Sequence, residues 1–103
     1  MIVKKKIVTI IGLGLIGSSI LRAFSYYFKN KFYIKVYDNN FEHLKVVKSF
    51  NIADEICNSV KDSVKDSDLV ILAIPVGSMA EVGKLISPYL KNGAILTDTG
   101  STK

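Results

Sequence analysis

Residues 6–17 read Lys6-Ile7-Val8-Thr9-Ile10-Ile11-Gly12-Leu13-Gly14-Leu15-Ile16-Gly17. The first half is apolar and β-branched, the pattern of a strand buried on both faces. The second half fits G-x-G-x-x-G, and Ile16, Ile20, Ala23, Phe24 and Tyr27 then recur at helical spacing. A glycine motif alone is weak, but one held between a strand and a helix specifies a backbone. Gly12 allows a tight turn, Gly14 lets the chain approach a pyrophosphate, and Gly17 lets the helix pack closely on the sheet. The start of the helix then offers unpaired N–H groups and a positive dipole end to phosphates.

Working outward, Phe32 to Tyr37 alternates as a second strand and is followed at once by Asp38, 21 residues beyond Gly17. An acidic residue at this distance is where a dinucleotide's ribose hydroxyls find their acceptor. Its charge repels a 2′-phosphate, and no arginine follows, only Asn39-Asn40. The expected cofactor is therefore NAD in preference to NADP. Phe41, Leu44 and Val47 mark a second helix with Asn40 as its cap, and Ala53 to Cys57 a weak third strand.

Residues 61–68 are polar and read as a solvated turn of helix and loop. Leu69 to Ile74 is a strong buried strand stopped by Pro75, and Ser78-Met79-Ala80-Glu81 carries the capping-box pattern of a further helix. Pro88 ends or kinks that helix, Asn92-Gly93 stops it, and Ala94 to Thr97 forms a last strand. Strands alternating with helices over short connections imply an α/β fold, a Rossmann-type doubly wound parallel sheet. Right-handed crossovers give the strand order 3-2-1-4-5. The switch point falls between the first and fourth strands, where the loops Gly12–Gly17 and Pro75–Ser78 meet and where open sheets bind ligands. The expected organisation is one dinucleotide-binding domain over residues 1–103.

Composition narrows the alternatives. The chain has 103 residues, 49% hydrophobic and 22% charged, enough to form one core. One cysteine, Cys57, excludes a disulfide framework and a cysteine-cluster metal site, and one histidine, His43, excludes chemistry needing two imidazoles. The net charge of +5 comes from thirteen scattered lysines and Arg22. Base-edge readout favours arginine, and nucleic-acid domains gather their cations on one face, so no nucleic-acid partner is expected. Lys4-Lys5-Lys6 before an apolar stretch resembles a secretory leader. However, Gly12, Gly14 and Gly17 interrupt the stretch, Arg22-Ala23-Phe24 is a poor cleavage site, and Ile7 to Leu21 is too short to span a bilayer. A cytoplasmic protein with no membrane partner is expected. His43, on the second helix, reads as a solvated residue far from the switch point. Cys57 reads as a small buried side chain, and Tyr26-Tyr27-Phe28 and Tyr89 as core and rim.

Gly12 to Ser19, Leu72 to Met79 and Thr97-Asp98-Thr99-Gly100-Ser101-Thr102-Lys103 together resemble prephenate dehydrogenase, in order and spacing, over essentially the whole chain. The resemblance implies oxidative decarboxylation of prephenate to 4-hydroxyphenylpyruvate with NAD, a step of tyrosine biosynthesis. It implies that Gly12, Gly14, Leu15, Ile16, Gly17 and Asp38 hold the cofactor, with Ala73, Ile74, Pro75 and Val76 as the wall beside it. The serine of Gly-Ser-x-Lys maps to Ser101, a catalytic residue that orients the reacting hydroxyl. The family's catalytic histidine and its helical carboxy-terminal domain lie beyond the position of Lys103. The expectation is thus a cofactor-binding part, inactive alone, whose substrate on completion is prephenate or arogenate. It would associate through its exposed last strand or with the helical domain. Two other readings stand beside this one: a non-catalytic NAD-binding module that needs a partner chain, and a nucleotide-sensing regulatory domain.

Overall fold

The computed structural model describes residues 5–28 and 30–99. β1 (Lys6–Ile11) runs through the middle of a five-stranded sheet, flanked by β2 (Phe32–Tyr37) and β4 (Leu69–Leu72). β3 (Glu55–Ile56) and β5 (Ile95–Asp98) form the two edges, every pairing is parallel, and the order is β3-β2-β1-β4-β5. That is the order expected from right-handed crossovers.

Alternation along the central strands builds two cores. Val8 and Ile10 of β1 join Ile34, Val36 and Ile71 on one face, covered by α1 (Leu15–Tyr27) and α2 (Phe41–Phe50) through Leu21 and Val47. Ile11, Val70 and Leu72 face the other way, against Val64 of α3 (Val60–Val64) and Ile86 of α4 (Val76–Ile86). Full burial of such a side chain contributes about 1.5–3 kcal/mol, and both faces of β1 supply one. Lys35, between Ile34 and Val36, points to the second face; its ammonium donates to the carbonyls of Asp62 (2.8 Å) and Lys65 (3.2 Å) at the end of α3.

Several local expectations shift. The buried stripe of α1 is Gly17, Ile20, Leu21 and Phe24 rather than one through Ile16, Ala23 and Tyr27, which are exposed. Gly17 sets the rotation, because it is the position that touches the β1–α1 turn. Tyr26 and Tyr27 are rim only, while Phe24, Phe28 and Phe32 pack edge to face. The stretch 61–68 is not all solvated. Ser63 and Ser67 are fully buried, and the Thr9 hydroxyl from β1 bonds the Ser63 carbonyl and the Ser67 hydroxyl. Small hydroxyl side chains with partners can be buried where larger polar ones cannot.

The third strand pairs over two residues rather than five, with Asp54 and Cys57 extending the contact to β2 through backbone bonds. β4 stops at Leu72, and α4 opens at Val76 with Pro75 as its N-cap, so the Ser78 capping box is not formed. Proline's fixed φ suits the entrance to a helix, and the Ser78 N–H already donates to the Pro75 carbonyl at 2.9 Å. The helix ends before Pro88, in a 3₁₀ turn at Ser87–Tyr89. β5 pairs with β4 alone and is exposed throughout, Ile95 at 62%. No helix among the described residues is long and apolar enough to cross a membrane.

Candidate dinucleotide site

β1 and β4 end side by side, and the turns that leave them meet. Gly12 sits at φ +102° with its N–H on the Tyr37 carbonyl at 2.8 Å. A side chain there would run into the Ala73 carbonyl oxygen at 2.4 Å and Ile74 Cγ2 at 2.9 Å. Gly17, one helical turn on, is tighter still: its missing Cβ would lie 1.8 Å from the Gly12 carbonyl oxygen. Both positions demand glycine, so the motif is spent on bringing α1 against the sheet. Gly14 differs, because a Cβ there would meet no atom within 4 Å.

That open space lies directly at the start of α1. Gly14 is its N-cap, no side chain caps the helix, and its first turn holds no acidic residue. The leading N–H groups therefore keep their capacity for an anion. Leu15, 89% exposed, and Ile16 flank this opening, with Pro75 and Val76 exposed on the β4 side and Ala73 and Ile74 half-buried beneath. The structure thus brings together Gly12, Gly17, Ala73 and Ile74 by direct approach. Gly14, Leu15, Ile16, Pro75 and Val76 form the open rim.

Asp38 follows β2 and turns back toward the loop. Its Oδ2 accepts the Leu13 N–H at 2.6 Å, and its Oδ1 accepts the Asn40 N–H at 2.7 Å. The carboxyl is only 8% exposed. Burial alone would push its pKa up. The hydrogen bond from His43 and those from the Asn40 and Leu13 N–H groups outweigh burial and hold it below the ordinary carboxylate value. An ionised acceptor beside the helix start is the requirement for ribose hydroxyls.

His43 is the residue that sequence reasoning missed. It is not remote: its Nδ1 lies 2.8 Å from Asp38 Oδ2, with the imidazole 41% exposed. The signal was its place three residues after the Asn40 cap, from which a side chain reaches back over the helix start. Cys57 is buried as expected, and burial pushes its thiol up to about 11, which removes it as a nucleophile. A polar cleft of about 310 Å³ between Lys35, Glu55, Cys57 and Asp62 lies at the β3 edge, away from the glycine loop. Among the described residues no group of three potential metal ligands converges. Ser101 lies outside the described residues; Thr99, just before that segment, donates its N–H to the Leu72 carbonyl at 3.1 Å.

These residues fit a dinucleotide: an open space at Gly14, an uncapped helix start, and an ionised carboxylate joined to the same loop. Comparison with known proteins points the same way. Residues 24–103 match the family profile described as prephenate dehydrogenase, nucleotide-binding domain. The chain is 38% identical over 98 residues to cyclohexadienyl dehydrogenase of Zymomonas mobilis, covering 95% of this chain and 33% of the relative. It is 35% identical over 100 residues to prephenate dehydrogenase of Lactococcus lactis, covering 95% and 27%. Among solved structures, prephenate dehydrogenase of Aquifex aeolicus in complex with hydroxyphenyl propionate and NAD⁺ superposes with a TM-score of 0.82. That pair shares 31% identity over 98% of this chain and 35% of that one. Synechocystis arogenate dehydrogenase, at 22% identity over 94% of this chain and 34% of that one, shares the fold with a TM-score of 0.80. The chain thus spans about a third of the length of such relatives.

Proposed function

Because the chain belongs to the prephenate dehydrogenase nucleotide-binding domain family, we propose that it is a dinucleotide-binding domain that holds NAD at the carboxyl edge of its sheet. In this reading it serves an oxidoreductase that converts prephenate to 4-hydroxyphenylpyruvate. The observation that carries the reading is the joint between Asp38 and the glycine loop. One carboxylate pins Leu13 and is ionised beside an uncapped helix start. The first-turn N–H groups of α1 would receive the pyrophosphate over Gly14. Asp38 would receive the adenosine ribose and turn away a 2′-phosphate. Leu15, Ile16, Pro75 and Val76 would close over the cofactor as apolar walls, with Ala73 and Ile74 as its floor.

When bound, NAD supplies the hydride acceptor. On the substrate side, the ring hydroxyl gives up its proton as the carbon bearing it gives up hydride. The ring carboxylate leaves as carbon dioxide, its electron pair completing the aromatic ring as the oxygen takes a proton back to become the phenol hydroxyl. Ser101 is assigned to orient that hydroxyl because its Gly-Ser-x-Lys setting resembles the family's motif, and β5 before it runs parallel to β4 and ends at Asp98. The oxidation is assigned to the oxidoreductase that this domain serves.

Calorimetric titration of the full chain with NAD, with NADP as control, tests the proposal. Saturable NAD binding with weaker NADP binding is the expected result. A folded chain that binds neither, or that prefers NADP, overturns it.

A further inference from the structure

A carboxylate has about four lone-pair positions, two on each oxygen. In Asp38, Oδ2 already accepts from the Leu13 N–H and from His43, and Oδ1 accepts from the Asn40 N–H. One position is left. A ribose cis-diol offers two O–H donors side by side, so one of the three present donors has to yield for both to be received. Leu13 is buried and its N–H is part of the turn; the Asn40 N–H is two residues from the carboxylate and belongs to the helix cap. His43 alone is a half-exposed side chain that can swing into solvent.

Resting on the NAD reading above, we propose that His43 is a gate on Asp38: it occupies the acceptor position a ribose diol takes, so that cofactor binding and protonation of His43 oppose each other. Neutral His43 contributes one replaceable N–H donor. Protonated His43 forms an ion pair with Asp38, which is stronger and harder to displace.

The surroundings leave the pairing to these two residues. The loop 12–17 carries no titratable side chain, and β2 contributes Tyr37 beside Asp38. On its own helix His43 is flanked by Glu42, while Lys45 lies with its ammonium 5.9 Å from the centre of the Phe41 ring. α1 reaches α2 through Arg22 over Phe50, at the opposite end of the helix. Among the described residues, Asp38 is the one carboxylate within ion-pairing distance of His43.

The test uses the full chain, in which His43 is the only histidine and so gives a single imidazole signal by NMR. NAD is titrated at about pH 8 and about pH 5.5, spanning the histidine range, in buffers of different ionisation heat. The expected result is weaker binding in acid, proton release on binding there, and movement of the imidazole signal toward that of a solvated histidine. His43→Ala is expected to bind NAD roughly 2- to 10-fold more tightly near neutrality, the equivalent of one net hydrogen bond, and to lose the pH dependence. An imidazole signal unmoved by saturating NAD overturns the proposal, as does His43→Ala binding more weakly than the parent. The NMR experiment on the parent chain stands even if the variant does not fold. Absence of NAD binding at both pH values by a folded chain is a different result: it removes the NAD reading and this proposal with it.

Discussion

Replacing Gly17 with alanine adds one methyl group at the tightest point of the structure. The new Cβ would sit 1.8 Å from the Gly12 carbonyl oxygen, 2.8 Å from its carbonyl carbon and 3.3 Å from Ala73 Cβ. Two of those three atoms are backbone, so no side chain can rotate away. The start of α1 must retreat by more than an ångström, parting Leu21 from the core it fills with Val8 and Ile10. Overpacking of this kind costs about 1–3 kcal/mol and sometimes more. In a domain this small about 3 kcal/mol is a large share of the total, and corresponds to about 12–24 °C in Tm. The same retreat moves the N–H groups proposed to receive the pyrophosphate. Gly14→Ala is the control, since its Cβ has no neighbour within 4 Å. It is expected to melt within a few degrees of the parent yet to bind NAD more weakly, because its methyl group enters the open space proposed for the phosphates. Thermal melts and NAD calorimetry on the two variants decide the matter. Parent-like stability in Gly17→Ala, or equal destabilisation by both, would refute the division of labour between the glycines.

Three further outcomes are expected. Thr9→Val removes the hydroxyl that ties β1 to α3 and should cost about 1 kcal/mol in urea unfolding. The loss stays moderate because Ser67 Oγ still donates to the Ser63 carbonyl at 3.2 Å; unchanged stability would mean the hydroxyl network contributes nothing. The carboxyls of Asp68, bonded by Lys91 and the Ile7 N–H, and of Asp38 both lie below their ordinary value when folded. Their contribution is complete above about pH 4 and is lost as pH falls through the folded values. Asp68→Asn should flatten that acid limb, and a urea midpoint constant down to about pH 3 in the parent would contradict it. Ser101→Ala, assigned to substrate rather than cofactor, should leave NAD affinity at the parent value by calorimetry.

What could be read in advance, and what could not, follows from where each constraint resides. The strand, the glycine turn and the helix were legible because backbone approach leaves a mark in sequence: among the described glycines, Gly12 and Gly17 are the two where a Cβ has no room. The strand order followed from crossover handedness, and the place of Asp38 from its distance to the loop. Hydrophobic spacing misjudged the inward face of α1, because the residue that sets its rotation, Gly17, carries no apolar side chain to count. The burial of Ser63 and Ser67 was hidden for a related reason, since their partner Thr9 is 54 and 58 residues away. Ser78 displayed a capping pattern that went unused because Pro75 had already opened the helix. His43 was misplaced because a side chain in a first helical turn can point back past its cap, and no periodicity records that.

Asp38 shows why one substitution cannot assign a role to this site. Its carboxylate closes the glycine loop through Leu13 and the helix cap through Asn40, before any ligand is considered. Asp38→Ala therefore leaves the Leu13 N–H, in a residue only 3% exposed, without its acceptor, at a cost of about 1–3 kcal/mol. Weaker NAD binding by that variant mixes lost ribose contacts with a loosened loop. Asp38→Asn separates the two more cleanly. The amide can serve one of the two N–H groups, so part of the loop's support survives, while the negative charge is gone. If that charge excludes a 2′-phosphate, NADP binding should strengthen as NAD binding weakens by roughly 10-fold or more, the scale of a hydrogen bond to a charged group. A uniform loss for both cofactors would mean that Asp38 acts only by holding the loop. The discrimination would then have to come from the shape of the rim at Leu15 and Val76.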